Sequence, residues 1–427
     1  MQIDEIYNCF LQYPTIKTDN RKIVAGDIFV ALKGPNFNGN DYVQQALEAG
    51  AAYCITDEDV LCENNKVIAV DNCLATLQEL AKIHRSTFDI PFIAITGSNG
   101  KTTTKELVHQ VLSKKFRCYT TEGNLNNHIG IPLTILKIKS DAQIAVVEMG
   151  ANHLHEIAGY CQYAMPTWGN ITNCGKAHLE GFGSVEAIIR GKGELFDYLR
   201  ENNGSIFMNA DYDYLVKLST GIHNIVSYGS ANSEADYVGE AIKDNELLEV
   251  VVRKGTNFSS VKTKLVGGYN LPNVLTAISI GKTFGVEDDD IKSALESYEP
   301  SNSRSQLIHK NTNKIILDAY NANPTSMAAA IENFAGMEGE NKVLVLGSMK
   351  ELGADSAKEH EQIISLISNY NWSKVLVAGE GYQNVPANIT HVKTSLEAAE
   401  WFRQQNFKHS QILVKGSRGM QMEKVLE

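Results

Sequence analysis

The sequence is short of several features that would assign the protein to a familiar class. No window approaches the roughly 20 apolar residues that a membrane helix needs. The start MQIDEIYNCF carries neither a basic region nor a long apolar stretch, so no secretory leader is expected. A basic excess is also missing, because the net charge is -11, which argues against a nucleic-acid partner. We therefore expect a cytoplasmic protein without a membrane span.

The cysteines do not predict a disulfide framework either. The 7 cysteines are scattered and odd in number, and none form a CxxC pair. This pattern is typical of reduced, mostly buried thiols in the cytosol, and no motif supports a catalytic cysteine. No internal repeat or low-complexity run is present. A chain of 427 residues is too long for one ordinary core, so several domains are expected.

Hydrophobic patterning divides the chain into three predicted α/β domains. Residues 1–88 read as a small mixed α/β domain with short strands such as GDIFVAL. Residues 89–302 alternate apolar strands with helices, which predicts a parallel sheet covered on both faces. The glycine-rich turn and lysine at residues 97–101 favour a P-loop ATPase-type domain here. The stretch 230–265 alternates polar and apolar residues and reads as an antiparallel addition. Residues 303–427 repeat the strand–helix rhythm and predict a Rossmann-like domain without the dinucleotide fingerprint.

The strongest local motif follows an apolar strand that ends at Thr96. There, ITGSNGKTT combines a glycine-rich turn with the start of a helix, and such a turn directs backbone N–H groups toward phosphate oxygens. Lys101 would reach the β- and γ-phosphates, and the Thr102 hydroxyl would contact Mg²⁺. Alone, the motif indicates a nucleotide phosphate site and leaves kinases, GTPases and motor ATPases open. The predicted nucleotide-binding residues of this loop are Gly97, Ser98, Asn99, Gly100, Lys101, Thr102 and Thr103.

Three further residues follow strand or helix patterns that suit a metal site. Glu148 ends a second apolar strand, and ligands bind at the carboxyl edge of an open α/β sheet, so its carboxylate could hold Mg²⁺ opposite Thr102. His178 follows a third strand, although a lone histidine is more often structural. Lys192 lies in a helical context, where a solvated or phosphate-contacting lysine is the ordinary reading. If its amine reacted with CO₂, the resulting carbamate would be an anionic metal ligand.

A series of motifs extends these features along the chain. GNLNNHIGIPLTIL, VVEMGANHLHEI, ITNCGKAHLEGFGS, KGELF, GGYNLPN, LDAYNANPTSM, GSMKELGADSAKEH and LVKGSRGMQME follow the loop in order. With them the chain resembles the Mur ligases over essentially its whole length. The resemblance implies an ATP-dependent amide ligase of peptidoglycan synthesis that works through an acyl phosphate. The implied substrates are UDP-N-acetylmuramoyl-tripeptide and D-alanyl-D-alanine, bound by residues 1–88 and 303–427 respectively, in a monomeric enzyme.

The resemblance also implies residue roles. The cofactors would be ATP, two Mg²⁺ ions and a carbamylated Lys192. The implied catalytic residues are Lys101, Lys192, His178 and Arg304, and the implied metal residues are Thr102, Glu148, His178 and Lys192. Asn270 and Asn273 would lie beside adenine, Arg304 would face the phosphates, and Asp318 would lie near the ribose. The implied substrate residues are Asn126, Asn127, Asn321, Asn323, Lys415, Ser417 and Arg418.

Some positions differ from the family pattern. Asn20 replaces a serine, Tyr269 a histidine, Leu317 the first aspartate of an acidic pair and Ser348 an aspartate; none of these is a loop or metal residue. Rival interpretations are a sister Mur ligase or a folylpolyglutamate synthase, a kinase, and a non-catalytic ATP-binding protein. The NANP and KGSRGM motifs and the N-terminal pattern weigh against a sister ligase and a folylpolyglutamate synthase. A kinase would differ in leaving phosphate on its substrate. The intact set of loop and metal residues weighs against a non-catalytic protein.

Overall fold

The computed structural model describes residues 2–61, 64–242, 246–301 and 303–427. The N-terminal domain contains the helices and strands Ile3–Gln12 (α1), Ile16–Lys17 (β1), Ile28–Val30 (β2), Lys33–Gly34 (β3), Phe37–Asn38 (β4), Val43–Glu48 (α2), Tyr53–Thr56 (β5), Val67–Ala69 (β6) and Cys73–Ser86 (α3). The strands β1, β2, β5 and β6 form a parallel sheet in the order β1-β2-β5-β6. β3 and β4 form a separate antiparallel hairpin.

The central domain is the largest of the three. Its strands are Phe92–Thr96 (β7), Cys118–Thr120 (β8), Ile144–Glu148 (β9), Trp168–Ile171 (β10), Ser205–Asn209 (β11), Asn224–Gly229 (β12), Tyr237–Ala241 (β13), Glu249–Lys254 (β14) and Ser260–Lys262 (β15). Its helices are Lys101–Leu112 (α4), Gly130–Leu136 (α5), Glu156–Ala164 (α6), Leu179–Phe182 (α7), Val185–Glu201 (α8), Asp213–Leu218 (α9), Leu271–Thr283 (α10) and Asp288–Ser297 (α11).

These strands form one 9-stranded sheet in the order β15-β14-β13-β12-β11-β10-β7-β9-β8. The strands from β8 to β13 are parallel, whereas β14 and β15 each run antiparallel to their neighbour. The expectation of an antiparallel addition is therefore right for β14 and β15 and wrong for β13, which pairs with β12 in parallel. Every residue of β7, β9 and β11 is buried, as expected of strands that are covered on both faces.

The C-terminal domain repeats this construction on a smaller scale. Its elements are Gln306–Lys310 (β16), Asn313–Asp318 (β17), Pro324–Gly336 (α12), Lys342–Gly347 (β18), Ser356–Ser368 (α13), Lys374–Ala378 (β19), Thr390–Val392 (β20), Ser395–Gln405 (α14) and Gln411–Lys415 (β21). The sheet order is β16-β17-β21-β18-β19-β20, with only the β16–β17 pair antiparallel. The prediction of three α/β domains is thus confirmed.

The topology brings the sites suggested by the sequence to one edge. The central strands β7, β9 and β10 are adjacent and parallel, so the loops that follow them leave the same edge of the sheet. Loops at the carboxyl ends of parallel strands are the usual location of ligand sites in open α/β sheets. Among the described residues, no helix has the length and apolar character needed to cross a bilayer.

Candidate active site

The loop between β7 and α4 has the backbone of a phosphate cradle. Gly97 has φ +143°, and a Cβ there would lie 2.0 Å from the Thr172 hydroxyl oxygen. Gly100 has φ +81°, and a Cβ there would lie 2.6 Å from Asn273 Oδ1. Both positions therefore require glycine. Lys101 Nζ donates to the carbonyl oxygens of Gly97 (2.8 Å) and Ser98 (3.4 Å), so the lysine folds over its own loop.

Residues beyond β10 hold Ser98 and Asn99 of the loop. Ser98 Oγ donates to the Gly175 carbonyl (2.7 Å), and the Asn99 backbone N–H donates to Asn173 Oδ1 (3.1 Å). Thr103 is half-buried in the first turn of α4. These contacts hold the loop through the protein's own groups, which reduces the ordering cost of nucleotide binding.

Glu148 lies opposite the loop at the end of β9. Thr102 Oγ1 and Asn126 Nδ2 both donate to Glu148 Oε1, at 3.1 and 2.7 Å. Glu148 is 1% exposed, and its second oxygen, Oε2, has no hydrogen-bond partner among the described residues. A buried carboxylate oxygen without a donor is costly, and a cation is the partner that would satisfy it. The Thr102–Glu148 pair therefore fits Mg²⁺.

Lys192 lies on α8 and is 1% exposed. Its Nζ donates to the Ala151 carbonyl (2.8 Å) and lies 5.2 Å from the centre of the Phe182 ring. Burial lowers the pKa of the Lys192 amine to about 7, and the nearby charge of Lys101 acts in the same direction. The structure therefore contradicts the reading of Lys192 as a solvated lysine.

His178 follows β10 and has φ +54°. Its Nδ1 lies 2.5 Å from Glu351 Oε2 of the C-terminal domain, although the approach lacks hydrogen-bond geometry and is best described as an electrostatic contact. This contact with the imidazole lowers the pKa of the Glu351 carboxyl. Within the described ranges, no three His, Cys, Asp or Glu side chains are gathered into a metal-binding cluster. The metal role of His178 stays a prediction.

Arg304 begins the C-terminal domain and lies within electrostatic range of Lys101. Burial lowers the pKa of Lys101, Glu148 opposes this shift, and the positive charge of Arg304 adds to it. Arg304 Nε is buried without a hydrogen-bond partner in the described part of the chain. Two cations close together, one with an unpaired N–H, form a site suited to an anion.

The predicted adenine-side residues lie at the start of α10, behind the loop. Asn273 Nδ2 donates to Asn270 Oδ1 (2.8 Å), Asn270 Nδ2 donates to the Val266 carbonyl (2.9 Å), and Thr104 Oγ1 donates to Asn273 Oδ1 (3.1 Å). Both asparagines are buried, and these bonds tie α10 to α4. Their adenine role remains a prediction.

Asp318 is already engaged at the end of β17. Its Oδ1 accepts the Ser305 backbone N–H (3.1 Å), and its Oδ2 lies 2.5 Å from Lys415 Nζ. Lys415 is buried at the carboxyl end of β21, which runs parallel to β17 and places Lys415 opposite Asp318. A ribose contact through Asp318 stays a prediction, and the structure adds a role in holding the backbone beside Arg304.

The remaining predicted substrate residues divide into two groups. Asn126 binds Glu148, whereas Asn127 Oδ1 accepts the backbone N–H groups of Ile129 (3.1 Å) and Gly130 (2.8 Å) and so caps α5. In the C-terminal domain, Asn321 Oδ1 accepts the Ala322 backbone N–H. Asn323 Nδ2 donates to Asn99 Oδ1 of the loop (2.8 Å), Ser417 Oγ donates to the Ser348 carbonyl (2.7 Å), and Arg418 is exposed beside Glu423 (3.0 Å). Their substrate roles are untested.

Sequence reasoning did not single out several residues at the junction of the central and C-terminal domains. Lys176 Nζ lies 2.6 Å from Glu359, which is 4% exposed, and Thr325 Oγ1 accepts the Lys176 backbone N–H (2.9 Å). Glu351 and Glu359 both occur in the GSMKELGADSAKEH motif, and Lys176 occurs in ITNCGKAHLEGFGS. Both motifs were noted in the sequence, but nothing in the sequence indicates that residues of one motif contact residues of the other.

Comparison with known proteins gives matches over all three domains. The family models for the Mur ligase catalytic domain, middle domain and glutamate ligase domain match residues 12–85, 95–281 and 303–418. A Bacillus subtilis protein named UDP-N-acetylmuramoyl-tripeptide–D-alanyl-D-alanine ligase is 34% identical over 96% of this chain and 92% of its own.

Two solved structures agree in fold. Crystal structure I of MurF from Acinetobacter baumannii has a TM-score of 0.88 at 29% identity and covers 96% of this chain and 92% of its own. The MurF ligase from Thermotoga maritima, solved in complex with ADP, has a TM-score of 0.87 at 28% identity and covers 97% of each chain.

Proposed function

The chain belongs to the Mur ligase family, and we propose that it is the ligase that adds D-alanyl-D-alanine to UDP-N-acetylmuramoyl-tripeptide. ATP supplies the driving force and leaves as ADP and phosphate. The observation that supports this proposal is that the central and C-terminal domains contact each other at the nucleotide loop. Lys101, Thr102 and Glu148 lie at one sheet edge, and Asn323 of the C-terminal domain donates to the loop residue Asn99.

Each domain has one part in this function. We assign UDP-sugar binding to residues 1–88, ATP binding to residues 89–302 and binding of the incoming dipeptide to residues 303–427. We also assign Asn126, which bonds to Glu148, and the neighbouring Asn127 to the acceptor substrate. The proposed dipeptide residues Asn321, Asn323, Lys415, Ser417 and Arg418 all lie on the C-terminal domain, and Asn323 meets the loop. We propose a monomer that works in the cytoplasm.

The first chemical step activates the peptide carboxylate, since oxide is a very poor leaving group. A carboxylate oxygen attacks the γ-phosphorus, the bond from that phosphorus to the β–γ bridging oxygen breaks, and an acyl phosphate and ADP form. Lys101, the loop N–H groups and Arg304 neutralise the charge on the transferring phosphoryl group, where preorganised donors act most strongly. Lys101 must first release the carbonyl oxygens of Gly97 and Ser98.

The second step forms the amide. The dipeptide amine attacks the acyl carbon, the carbon–oxygen bond to phosphate breaks, and the nitrogen loses a proton as inorganic phosphate leaves. Water would hydrolyse the acyl phosphate, so the reaction needs a closed site. The contacts of Asn323 with Asn99 and of Lys176 with Glu359 close the boundary between the central and C-terminal domains.

Thr102, Glu148 and His178 are the residues that would hold Mg²⁺, which supplies charge neutralisation for the phosphate and acyl oxygens. Lys192 is proposed as a carbamate. Its neutral amine would add to CO₂ and lose one proton, which would leave a buried anion suited to a second Mg²⁺. The support is its burial beside Lys101, where an ordinary ammonium is repelled and has one carbonyl partner.

The direct test is phosphate release from ATP with UDP-N-acetylmuramoyl-tripeptide, measured with and without D-alanyl-D-alanine, together with mass detection of products. We expect dipeptide-dependent phosphate and a UDP-linked pentapeptide. Phosphate release that depends on a single amino acid instead of the dipeptide would identify a sister ligase. Phosphate retained on the acceptor would identify a kinase, and nucleotide binding without turnover would contradict enzymatic activity.

A further inference from the structure

The guanidinium of Arg304 is held by an aromatic ring. Its central carbon lies 3.5 Å from the centre of the Tyr320 ring, which is direct stacking distance. The Arg418 guanidinium lies farther from the same ring, at 5.8 Å. Stacking satisfies the face of a guanidinium and leaves its N–H edges free for anions. Arg304 Nε is buried and has no hydrogen-bond partner in the described ranges, so one of its donors is unused.

The position of Arg304 near Lys101 is electrostatically unfavourable. Its charge contributes to the lowered pKa of Lys101, so the two cations repel each other when no phosphate is bound. A long flexible side chain would ordinarily turn away from such a neighbour toward solvent. The negative face of the Tyr320 ring offsets the repulsion, and attraction between a cation and a ring is strongest where water is excluded.

The backbone around Arg304 is also fixed. Ser303 and Ser305 have φ values of +55° and +47°, a region that non-glycine residues rarely adopt. The Tyr320 backbone N–H donates to the Ser303 carbonyl (3.2 Å), and the Ser305 hydroxyl lies 3.1 Å from the Tyr269 hydroxyl of the central domain. Asp318 binds the Ser305 N–H. Arg304 thus projects from a segment fixed on both sides, and Tyr320 takes part in fixing both its backbone and its side chain.

We infer that Tyr320 is a positioning residue, whose ring holds the Arg304 guanidinium ready for the γ-phosphate before the nucleotide binds. This inference rests on the proposed phosphoryl transfer at this site. A guanidinium held in place in advance pays no ordering cost when phosphate arrives, so the benefit appears where Arg304 meets the terminal phosphate. Nucleotides without a γ-phosphate gain little from it.

The test compares Tyr320→Leu, which removes the ring, with Tyr320→Phe, which keeps it. Calorimetry with magnesium measures the affinity for ADP and for the non-hydrolysable ATP analogue AMP-PNP. We expect Tyr320→Leu to weaken AMP-PNP binding about tenfold and ADP binding less than about twofold. Tyr320→Phe should bind both like the parent protein. Equal weakening of both nucleotides, or no weakening of either, would overturn the inference.

A double-mutant cycle tests whether Tyr320 acts through Arg304. In an Arg304→Ala background, Tyr320→Leu should cause no further loss of AMP-PNP affinity, whereas independent roles would give additive losses. Tyr320→Met is a second ring-removing variant should Tyr320→Leu fail to fold. These measurements need no peptide substrate. A failure of dipeptide-dependent phosphate release would therefore count against the proposed ligase while the nucleotide affinities still decide the role of Tyr320.

Discussion

The sheet edge of the central domain and its junction with the C-terminal domain assemble charged groups in different ways. At the sheet edge, Thr102, Asn126 and Glu148 come from one domain, and hydrogen bonds join them at the ends of neighbouring elements. At the junction, His178 meets Glu351 and Lys176 meets Glu359 across a domain boundary. The first set exists whenever the central domain is folded. The second depends on how the two domains are placed.

This difference separates two tasks of the proposed reaction. The residues at the edge are those to which we assign nucleotide and metal, and their binding can precede the arrival of the peptides. Residues at the junction complete the site only when the C-terminal domain is in place, as induced closure requires. Substitutions at the edge should therefore abolish chemistry, and substitutions at the junction should reduce it while nucleotide and UDP-substrate binding persist.

The largest effect is expected at Lys192. Lys192→Ala should lower kcat by about a thousandfold, because the proposed carbamate, an anion that would hold a metal, cannot form without the lysine. Short carboxylic acids such as acetate should restore part of the activity by supplying the missing anion. The measurement is dipeptide-dependent phosphate release with and without acetate, and the parent enzyme with acetate is its control. Full activity of Lys192→Ala without acetate would remove the carbamate proposal.

At the start of the C-terminal domain, Arg304→Ala should lower kcat by about a hundredfold, since the charge that we propose stabilises the transferring phosphoryl group disappears. Affinity for UDP-N-acetylmuramoyl-tripeptide should change less than about twofold, because we assign that substrate to the N-terminal domain and Arg304 to the phosphates. Steady-state kinetics and calorimetry measure the two quantities. Arg304→Lys keeps the charge but loses the planar fork, so its kcat should fall between those of the parent enzyme and Arg304→Ala. Equal losses in turnover and UDP-substrate affinity would contradict this assignment.

A smaller effect is expected for the Lys176–Glu359 pair. Lys176→Met leaves the nearly buried Glu359 carboxylate without its partner, which should destabilise the domain contact by about 1–2 kcal/mol, reduced from a fully buried pair because Lys176 is half exposed. We expect a several-fold lower kcat and a lower melting temperature. The matched double variant Lys176→Met with Glu359→Gln should recover part of the stability. No recovery would mean that packing, not charge, joins the two elements.

The smallest effect is expected at a cross-strand surface pair. Arg253 and Glu240 lie 3.3 Å apart on β14 and β13, and both side chains are more than half exposed, at 58% and 54%. Arg253→Ala should change the melting temperature by less than about 2 °C and leave kcat unchanged. A large loss of activity there would show that the outer strands of the central sheet take part in catalysis.

The same comparison shows what the sequence could predict. Lys101, Thr102 and Glu148 could be placed together because they end or closely follow predicted parallel strands, and the carboxyl ends of parallel strands lie at one edge of a sheet. Glu351 could not be placed, because it reaches His178 through a loop with a left-handed residue and through the packing of two domains. Asn127 was predicted to touch substrate, yet its side chain caps α5, a local bond that competes with ligand contact.

Asp318 shows a further limit of sequence reasoning. Its place at a strand end was predictable, but its partner Lys415 is 97 residues away on a neighbouring strand, and periodicity does not reveal which strands become neighbours. Tyr320 lies in the LDAYNANPTSM motif, but the aromatic ring gains its role only from the guanidinium stacked on it. In both cases the sequence shows the residue, but it does not predict which side chain the residue contacts.

The most direct test of the proposed mechanism follows the oxygen atoms. UDP-N-acetylmuramoyl-tripeptide labelled with ¹⁸O in its reacting carboxylate is incubated with the protein, ATP and D-alanyl-D-alanine, and the released phosphate is analysed by mass spectrometry. An acyl phosphate requires one carboxylate oxygen to leave with phosphate, so we expect one ¹⁸O atom in the phosphate formed with each labelled pentapeptide. Pentapeptide formed together with unlabelled phosphate would contradict it.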